Sequence, residues 1–440
     1  MTEPTLSSRR TFLKKSLVIG AGVAAASSLP LARSVHAAGS DLIKIALIGA
    51  GARGSGAAVN ALVNASHKNV QLIAVADAFR DRLDASLQAI EKECPGKVDV
   101  PDCRRFAGLD AYENIMATDA DLVLLCSPPG FRPMHFDAAV QAGKHVFLEK
   151  PVATDAPGYR RVKAANEQAK TKALAVAVGH HLRHADGYRE IVRRIHDGAI
   201  GKLTLLRGYF NSDGVWNRPR LEGQTEMQYQ VQNWYHFVWL SGDHNVEQHV
   251  HDIDVCNWIA QGHPVEANGI GGRSVRVGKG FGEIFDHHFV EYVYADGLKF
   301  YSQCRHIPGC WNNFSQNAEG TNGIANLSGH GDTTLITAGQ EPQRWRSKVE
   351  GHQAEMDDLF AAITAGQAYN EGDWGADSTM TAILGRMATY SGQVVRWDEA
   401  VESQLDLAPL NPISWDSTPK TKPLPDGSYA CAIPGIAKAF

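Results

Sequence analysis

The sequence predicts an α/β protein in two parts. The first is an N-terminal doubly wound parallel sheet, and the second a C-terminal α+β domain with a large, mostly antiparallel open sheet. Three observations predict this. Short apolar runs alternate with helical stretches between residues 42 and 178. A G-x-G-x-x-G follows the first run directly. From about Gly201 the runs lengthen and alternate apolar with polar residues, the period of a half-buried strand.

The bulk numbers fit two or three soluble domains: 440 residues, 44% hydrophobic, 21% charged, net charge −5. No basic patch points to nucleic acid or an anionic membrane surface. The seven cysteines are scattered without a C-x-x-C pair, so they read as buried small hydrophobes. If the protein is exported, one or two disulfides remain an open alternative.

Residues 1–37 read as a signal peptide. Arg9 and Arg10 in SRRTFLKK precede a weakly apolar run, Ser16 to Ala32, and Val35-His36-Ala37 fits a small-x-small cleavage site. The string resembles the twin-arginine export signal, which implies a periplasmic or otherwise exported protein starting near Ala38. No later stretch reaches the ~20 apolar residues of a spanning helix, so no membrane contact is expected after cleavage.

The first domain is expected over 38–170. Leu42 to Ile48 reads as a buried parallel strand ending in Gly49-Ala50-Gly51-Ala52-Arg53-Gly54. Gly49 allows the tight turn, Gly51 a close approach to a pyrophosphate, and Gly54 close packing of strand and helix. A helix from Ser55 to Asn64 would point its free N–H groups at the phosphates. The next strand, Val70 to Ala76, ends in Asp77, 23 residues after Gly54, where a carboxylate can accept from a ribose 2′-OH. Asp77 would repel a 2′-phosphate and favours NAD over NADP, a preference that Arg80 and Arg82 soften. Strands at 121–126, 144–148 and 173–178 and helices near 132–142 and 155–170 continue the pattern. Ser127, Pro128 and Lys150 follow strand ends and are expected on the rim of the glycine loop.

GAGARG, LLCSPPGFRPMH, AGKHVFLEKP and VGHHLRH together resemble the Gfo/Idh/MocA family of nicotinamide-dependent oxidoreductases, over roughly residues 41 to 400. The resemblance implies a Rossmann domain for NAD and an open-sheet second domain that pairs into a dimer or tetramer. It implies cofactor contacts from Gly49, Gly51, Ala52, Arg53, Gly54, Asp77, Ser127, Pro128, His135, Glu149 and Lys150. It also places Lys150, the lysine of Glu149-Lys150-Pro151, at the nicotinamide and substrate. The family's D-x-x-x-H falls on VEQHVHDIDVCNW, with His251 as the histidine and Glu247 in place of the aspartate. On a continuous helix Glu247, His251, Asp254 and Trp258 share one face, so Glu247 would orient His251.

The second domain is expected over 171–402 and an irregular tail over 403–440. Strands are read in KLTLLRGYFN, EANGIGGRSV, DHHFVEYVYA and LKFYSQC, with late helices near 352–366 and 375–390. Residues 212–245 lack periodicity but hold Trp216, Trp234, Tyr235, His236 and Trp239. Aromatic faces beside amides and charges suit a sugar; a subunit interface is the rival. The substrate candidates are Arg183, His184, Trp216, Asn233, Trp234 and His249. The histidines at 180, 181, 184, 244, 249 and 251 raise a suspicion of metal. They lack H-E-x-x-H or similar spacing, so no metal site is expected.

These readings lead to an exported oxidoreductase that moves hydride between NAD and a carbinol carbon of a sugar, cyclitol or related polyol. Because free NAD is scarce outside the cytoplasm, the cofactor is expected to stay bound. The alternatives are a redox-neutral NAD-dependent glycosidase, against which the lysine of EKP speaks, and a non-enzymatic redox-sensing or binding protein.

Overall fold

Ile43–Ile48 (β1) is a strand for the reason its composition gives: IKIALI saturates with β-branched and apolar side chains, and nearly all are buried. In the computed structural model, which describes residues 41–329, 332–409 and 411–439, it is the centre of a six-stranded sheet. The others are β2 (Val70–Asp77), β3 (Arg105–Ala107), β4 (Leu122–Leu125), β5 (His145–Leu148) and β6 (Val176–Val178), in the order β3-β2-β1-β4-β5-β6. Every pairing is parallel. The strand order reverses beside β1, between β2 and β4, so a crevice opens there at the strands' carboxyl ends.

The helix Ala52–Val63 packs its Ala57, Ala58, Ala61 and Leu62 on the sheet. Arg80–Glu93, Arg132–Gln141 and Ala156–Thr171 complete the layers. Arg80–Glu93 and β3 are not marked in the sequence by apolar saturation. β6 lies beyond residue 170, so the first sheet extends past the expected boundary. Residues 369–371 run alongside β6: Val176 N–H donates to the Tyr369 carbonyl and Glu371 N–H to that of Val176, both at 2.9 Å. The helix Gly351–Ala365 returns to the first domain as well, with Gln353 bonded to Asn60 (3.0 Å).

The second sheet has nine strands: β7 (Leu203–Ser212), β8 (Glu266–Gly272), β9 (His287–Val293), β10 (Lys299–His306), β11 (Asn313–Gly320), β12 (Gly323–Ser328), β13 (Asp332–Thr337), β14 (Gln343–Arg346) and β15 (Val395–Arg396). The order is β14-β13-β12-β11-β7-β10-β9-β8-β15, antiparallel except for the parallel pair β7–β10. One face packs on the helices Val250–Ala260 and Gly372–Ser391, as the buried alternation of β10 shows.

The aperiodic stretch 212–245, an insertion between β7 and β8, holds a capped short helix, Glu226–Gln232, and one-turn helices at Val238–Ser241 and His244–Glu247. The tail is pinned rather than loose. The Asp155 carboxylate accepts from Leu407 and Ala408 N–H (both 2.8 Å), Gln230 donates to the Thr421 carbonyl (2.8 Å), and Tyr429 is buried. All seven cysteines are free, so no disulfide forms. Among the described residues no helix is long and apolar enough to cross a membrane. The signal-peptide reading of residues 1–37 lies outside the described residues.

Candidate active site

The glycine loop differentiates its three glycines by what surrounds them. Gly49 has φ +94°, and a Cβ there would collide with the backbone of Cys126 and Ser127. A Cβ on Gly54 would strike the Gly49 carbonyl oxygen. A Cβ on Gly51 would meet nothing within 4 Å. Two glycines are therefore needed for the fold, and one faces open space at the N-terminus of Ala52–Val63, where a pyrophosphate would approach.

Asp77 ends β2 and is 6% exposed. Its carboxylate accepts from Ala50 N–H at 2.7 Å and Phe79 N–H at 2.9 Å, with Arg82 at 4.0 Å. Burial pushes its pKa up, against Arg82 and the two N–H donors. The cleft beside it is lined by Gly49, Asp77, Tyr112, Ser127, His135 and Val231, among others. His135 lies 3.0 Å from the Ser127 hydroxyl through Nδ1 and stacks on Tyr112 at 4.4 Å. Burial lowers its pKa to about 3, so it is neutral. These residues fit a dinucleotide: an open cradle at Gly51, a carboxylate at the ribose position and an apolar slot for a base.

Val231 comes from the insertion, so the second domain supplies one wall of that slot. Trp415 of the tail packs on Phe79, two residues after Asp77, with ring centroids 5.3 Å apart.

Arg53, an expected cofactor contact, is held by two carboxylates. Its Nε bonds Glu149 at 2.5 Å and its Nη2 bonds Glu355 at 2.8 Å, tying the loop to β5 and to the late helix. Burial works to raise the pKa of Glu149, but Arg53, Lys150 and Arg132 outweigh it and hold the carboxyl below the usual range. Burial, with Glu149 close by, pushes Glu355 up. One negative charge of this pair thus sits at the strand end. Glu149, an expected cofactor contact, is 3% exposed and anchors Arg53.

Lys150 follows. Its Nζ donates to the Glu247 carbonyl (2.8 Å) and carboxylate (3.2 Å). Arg132 holds the backbone beneath it, donating to the carbonyls of Lys150 (2.7 Å) and Pro151 (2.5 Å). His251 is 6% exposed, and its Nδ1 has no partner. Burial first, then the nearby Lys150, His181 and His180, lowers its pKa well below the usual imidazole range.

Glu247 does not orient His251. His249 N–H reaches back five residues to the His244 carbonyl (3.1 Å), and Asp252 N–H returns to that of His249 (3.0 Å). This wide turn ends the helix His244–Glu247 before Val250–Ala260 begins, so the shared face of a continuous helix is lost. Glu247 turns to Lys150 instead.

Two histidines that the sequence reading weighed only as metal ligands lie beside His251. His180 is 1% exposed with neither ring nitrogen bonded, and lies 6.1 Å from the His251 ring. His181 sits 4.8 Å from the His251 ring and stacks on His352 at 4.0 Å. The signal was the HH pair after β6.

Most of the substrate candidates are held elsewhere. Arg183 makes a two-pronged bond to Asp254 (2.8 and 2.9 Å) and lies 3.9 Å over the Trp374 ring. His184 is clamped by Asp358 (2.7 Å) and Glu371 (3.3 Å). Burial works against its charge, but these two carboxylates raise its pKa to about 9. His249 is fully buried between Asp252 (3.1 Å) and Ser302 (2.7 Å). The Asn233 amide closes its own loop, accepting from Arg218 N–H (2.9 Å) and donating to the Arg218 carbonyl (3.1 Å). Trp216 is 40% exposed, covered by Arg218 and edge-on to Trp234.

Residues 43–180 match the model of the oxidoreductase family with an NAD-binding Rossmann fold, GFO_IDH_MocA. They belong to the Gfo/Idh/MocA family. The chain is 29% identical over 290 residues to inositol 2-dehydrogenase 3 of Saccharopolyspora erythraea, covering 64% of this chain and 78% of that one. Its fold is that of levoglucosan dehydrogenase in complex with NADH and levoglucosan: TM-score 0.66, 16% identity, 80% and 99% coverage. The aldose–aldose oxidoreductase of Caulobacter crescentus is similar as well, at TM-score 0.64, 17% identity, 81% and 99% coverage. The protein is an NAD-binding oxidoreductase of the dehydrogenase type.

Proposed function

We propose that this enzyme moves hydride between bound NAD and a carbinol carbon of a sugar, cyclitol or related polyol. The observation that carries this reading is the setting of Lys150. Two of its three N–H directions go to Glu247, and the ammonium stands at the end of β5 on the rim of the glycine loop. The third direction is left for a substrate hydroxyl, whose developing negative charge it stabilises. His251 is neutral because it is buried, and accepts the hydroxyl proton at a ring nitrogen. NAD, when bound through Gly51, Asp77 and the slot beside His135, supplies the hydride acceptor. His180, His181 and His251 present buried ring nitrogens without partners, an arrangement that a ligand with several hydroxyls satisfies. The names of the relatives, inositol and sugar dehydrogenases, support the same substrate class.

The enzyme is exported through the twin-arginine route with NAD already in place, and works as a homo-oligomer. Support for a retained cofactor comes from the slot itself, walled by Val231 and backed by the pinned tail at Trp415. The test is an absorbance spectrum and cofactor extraction on the purified protein before and after adding free sugars, cyclitols and aryl glycosides. Reduction of the co-purified nicotinamide by a free polyol is the expected result. Cleavage of an aryl glycoside with no net reduction would replace this reading by the redox-neutral hydrolase. Cofactor lost on desalting would remove the retention.

A further inference from the structure

A second polar cluster lies one turn before Glu247 and takes no part in the chemistry above. Asp243, His244 and His288 are all at 2% exposure or less. A ligand-type atom from each lies within 4.8 Å of the others. His244 Nδ1 is 2.7 Å from Asp243 Oδ1, and His288 Nε2 is 3.3 Å from Asp243 Oδ2. Yet neither ring nitrogen of His244, nor His288 Nε2, makes a hydrogen bond of adequate geometry.

The placement of hydrogens makes this unusual. His288 Nδ1 is 2.9 Å from the Thr389 hydroxyl, which gives its single proton to the Arg386 carbonyl (3.1 Å). With the hydroxyl so engaged, Thr389 accepts from Nδ1–H, and in that tautomer a neutral His288 turns a bare lone pair at Nε2 toward a carboxylate oxygen. That carboxylate already receives Phe285 N–H (2.9 Å), the Tyr390 hydroxyl (2.5 Å) and His244 N–H. Lone pairs facing each other in a dry interior repel unless a cation lies between them. Asp243 is also held at φ +77°, a conformation that a non-glycine residue keeps only when its surroundings fix it.

We propose that Asp243, His244 and His288 bind a divalent transition-metal ion, zinc in the first place. Two imidazoles and a carboxylate are a zinc-type ligand set. The His288–Thr389 bond is the outer-shell contact that sets the tautomer of a ligating imidazole, and Phe285 N–H and Tyr390 hold the carboxylate in the same way. His244 opens the one-turn helix that ends at Glu247, so the ion pins the turn carrying both acceptors of Lys150. It is a structural ion with a positioning role, separate from the hydride transfer proposed above.

The test is metal analysis of the purified full-length protein by plasma mass spectrometry, with the zinc-edge X-ray absorption spectrum. The expected result is one ion per chain, with two imidazole nitrogens at about 2.0–2.1 Å. Cobalt-grown protein should show d–d bands that vanish in His288→Gln. If that variant does not fold, the wild-type absorption spectrum decides by itself. A folded, NAD-binding wild type that carries no transition metal and takes up neither added zinc nor cobalt overturns the proposal. An ion whose spectrum shows no imidazole ligands, or one fully retained in folded His288→Gln, overturns it as well.

Discussion

At the nucleotide rim the contacts that shape the site run through the backbone. Gly54 abuts the Gly49 carbonyl, and Asp77 caps the N–H of Phe79 two residues on. Around Lys150 they are side-chain pairs brought from far along the chain: Arg183 with Asp254 across 71 residues, Lys150 with Glu247 across 97, Arg53 with Glu355 across 302. The first kind of site is imposed by steric rules that allow few solutions. The second depends on which charged groups meet after folding, and one carboxylate placed differently reassigns a residue. Arg183 and His184 look like substrate ligands beside an active site until Asp254 and Asp358 are seen to occupy them.

The largest expected effect lies on the substrate side. Lys150→Met should lower kcat for polyol oxidation by about 10²–10⁴, the usual worth of a positioned acid–base group, while bound NAD is retained. Single-turnover absorbance at the reduced-nicotinamide band measures it. A fall below threefold would show that Lys150 is not at the reacting centre. On the rim, Gly51→Val and Gly54→Val should part company. Gly51→Val is expected to fold and emerge free of NAD, because its Cβ enters only the open cradle. Gly54→Val is expected to fail at folding, because its Cβ meets the Gly49 backbone. Circular dichroism and cofactor extraction separate the two, and equal behaviour would erase the distinction drawn between these glycines.

His184 tests the clamp directly. Its folded pKa of about 9 exceeds the ~6.5 of an unfolded histidine, so its stabilisation is fully present below about pH 6.5 and lost as pH rises through about 9. The contribution is on the order of 3 kcal/mol. His184→Gln should flatten the fall in stability over that interval in denaturant titrations, and an unchanged slope would place the charge elsewhere. The smallest effect is Asn233→Ala. It leaves the half-buried N–H and carbonyl of Arg218 without their side-chain partner, at about 1–3 kcal/mol, with KM for the sugar within about twofold. A large KM change would return Asn233 to the substrate.

The two regions also differ in how far the sequence discloses them. The first sheet was legible because its strands are buried on both faces and saturate with apolar residues, as LVLL in β4 does. Strands β11 to β14 were not, because only alternate residues are buried and polar residues fall on both faces, as Gln316 and Glu319 do in β11 and Thr333 and Asp332 in β13. The glycine loop and Asp77 were legible as spacing. The break between Glu247 and His251 was not, since nothing local marks the five-residue reach of His249, whose ring is fixed by Ser302 on β10. His180 and His181 were legible by their position just after β6, at the same rim as Lys150, but not by role.

The tail gives the molecule an order of assembly. Synthesis runs from the N-terminus, so the glycine loop, β2 and the insertion wall at Val231 are made before Trp415 exists to cover Phe79. A chain still lacking its tail has an unbraced slot, and one with the tail docked has it braced at Asp155, Gln230 and Phe79. A dinucleotide captured before the tail docks would become part of the folding reaction.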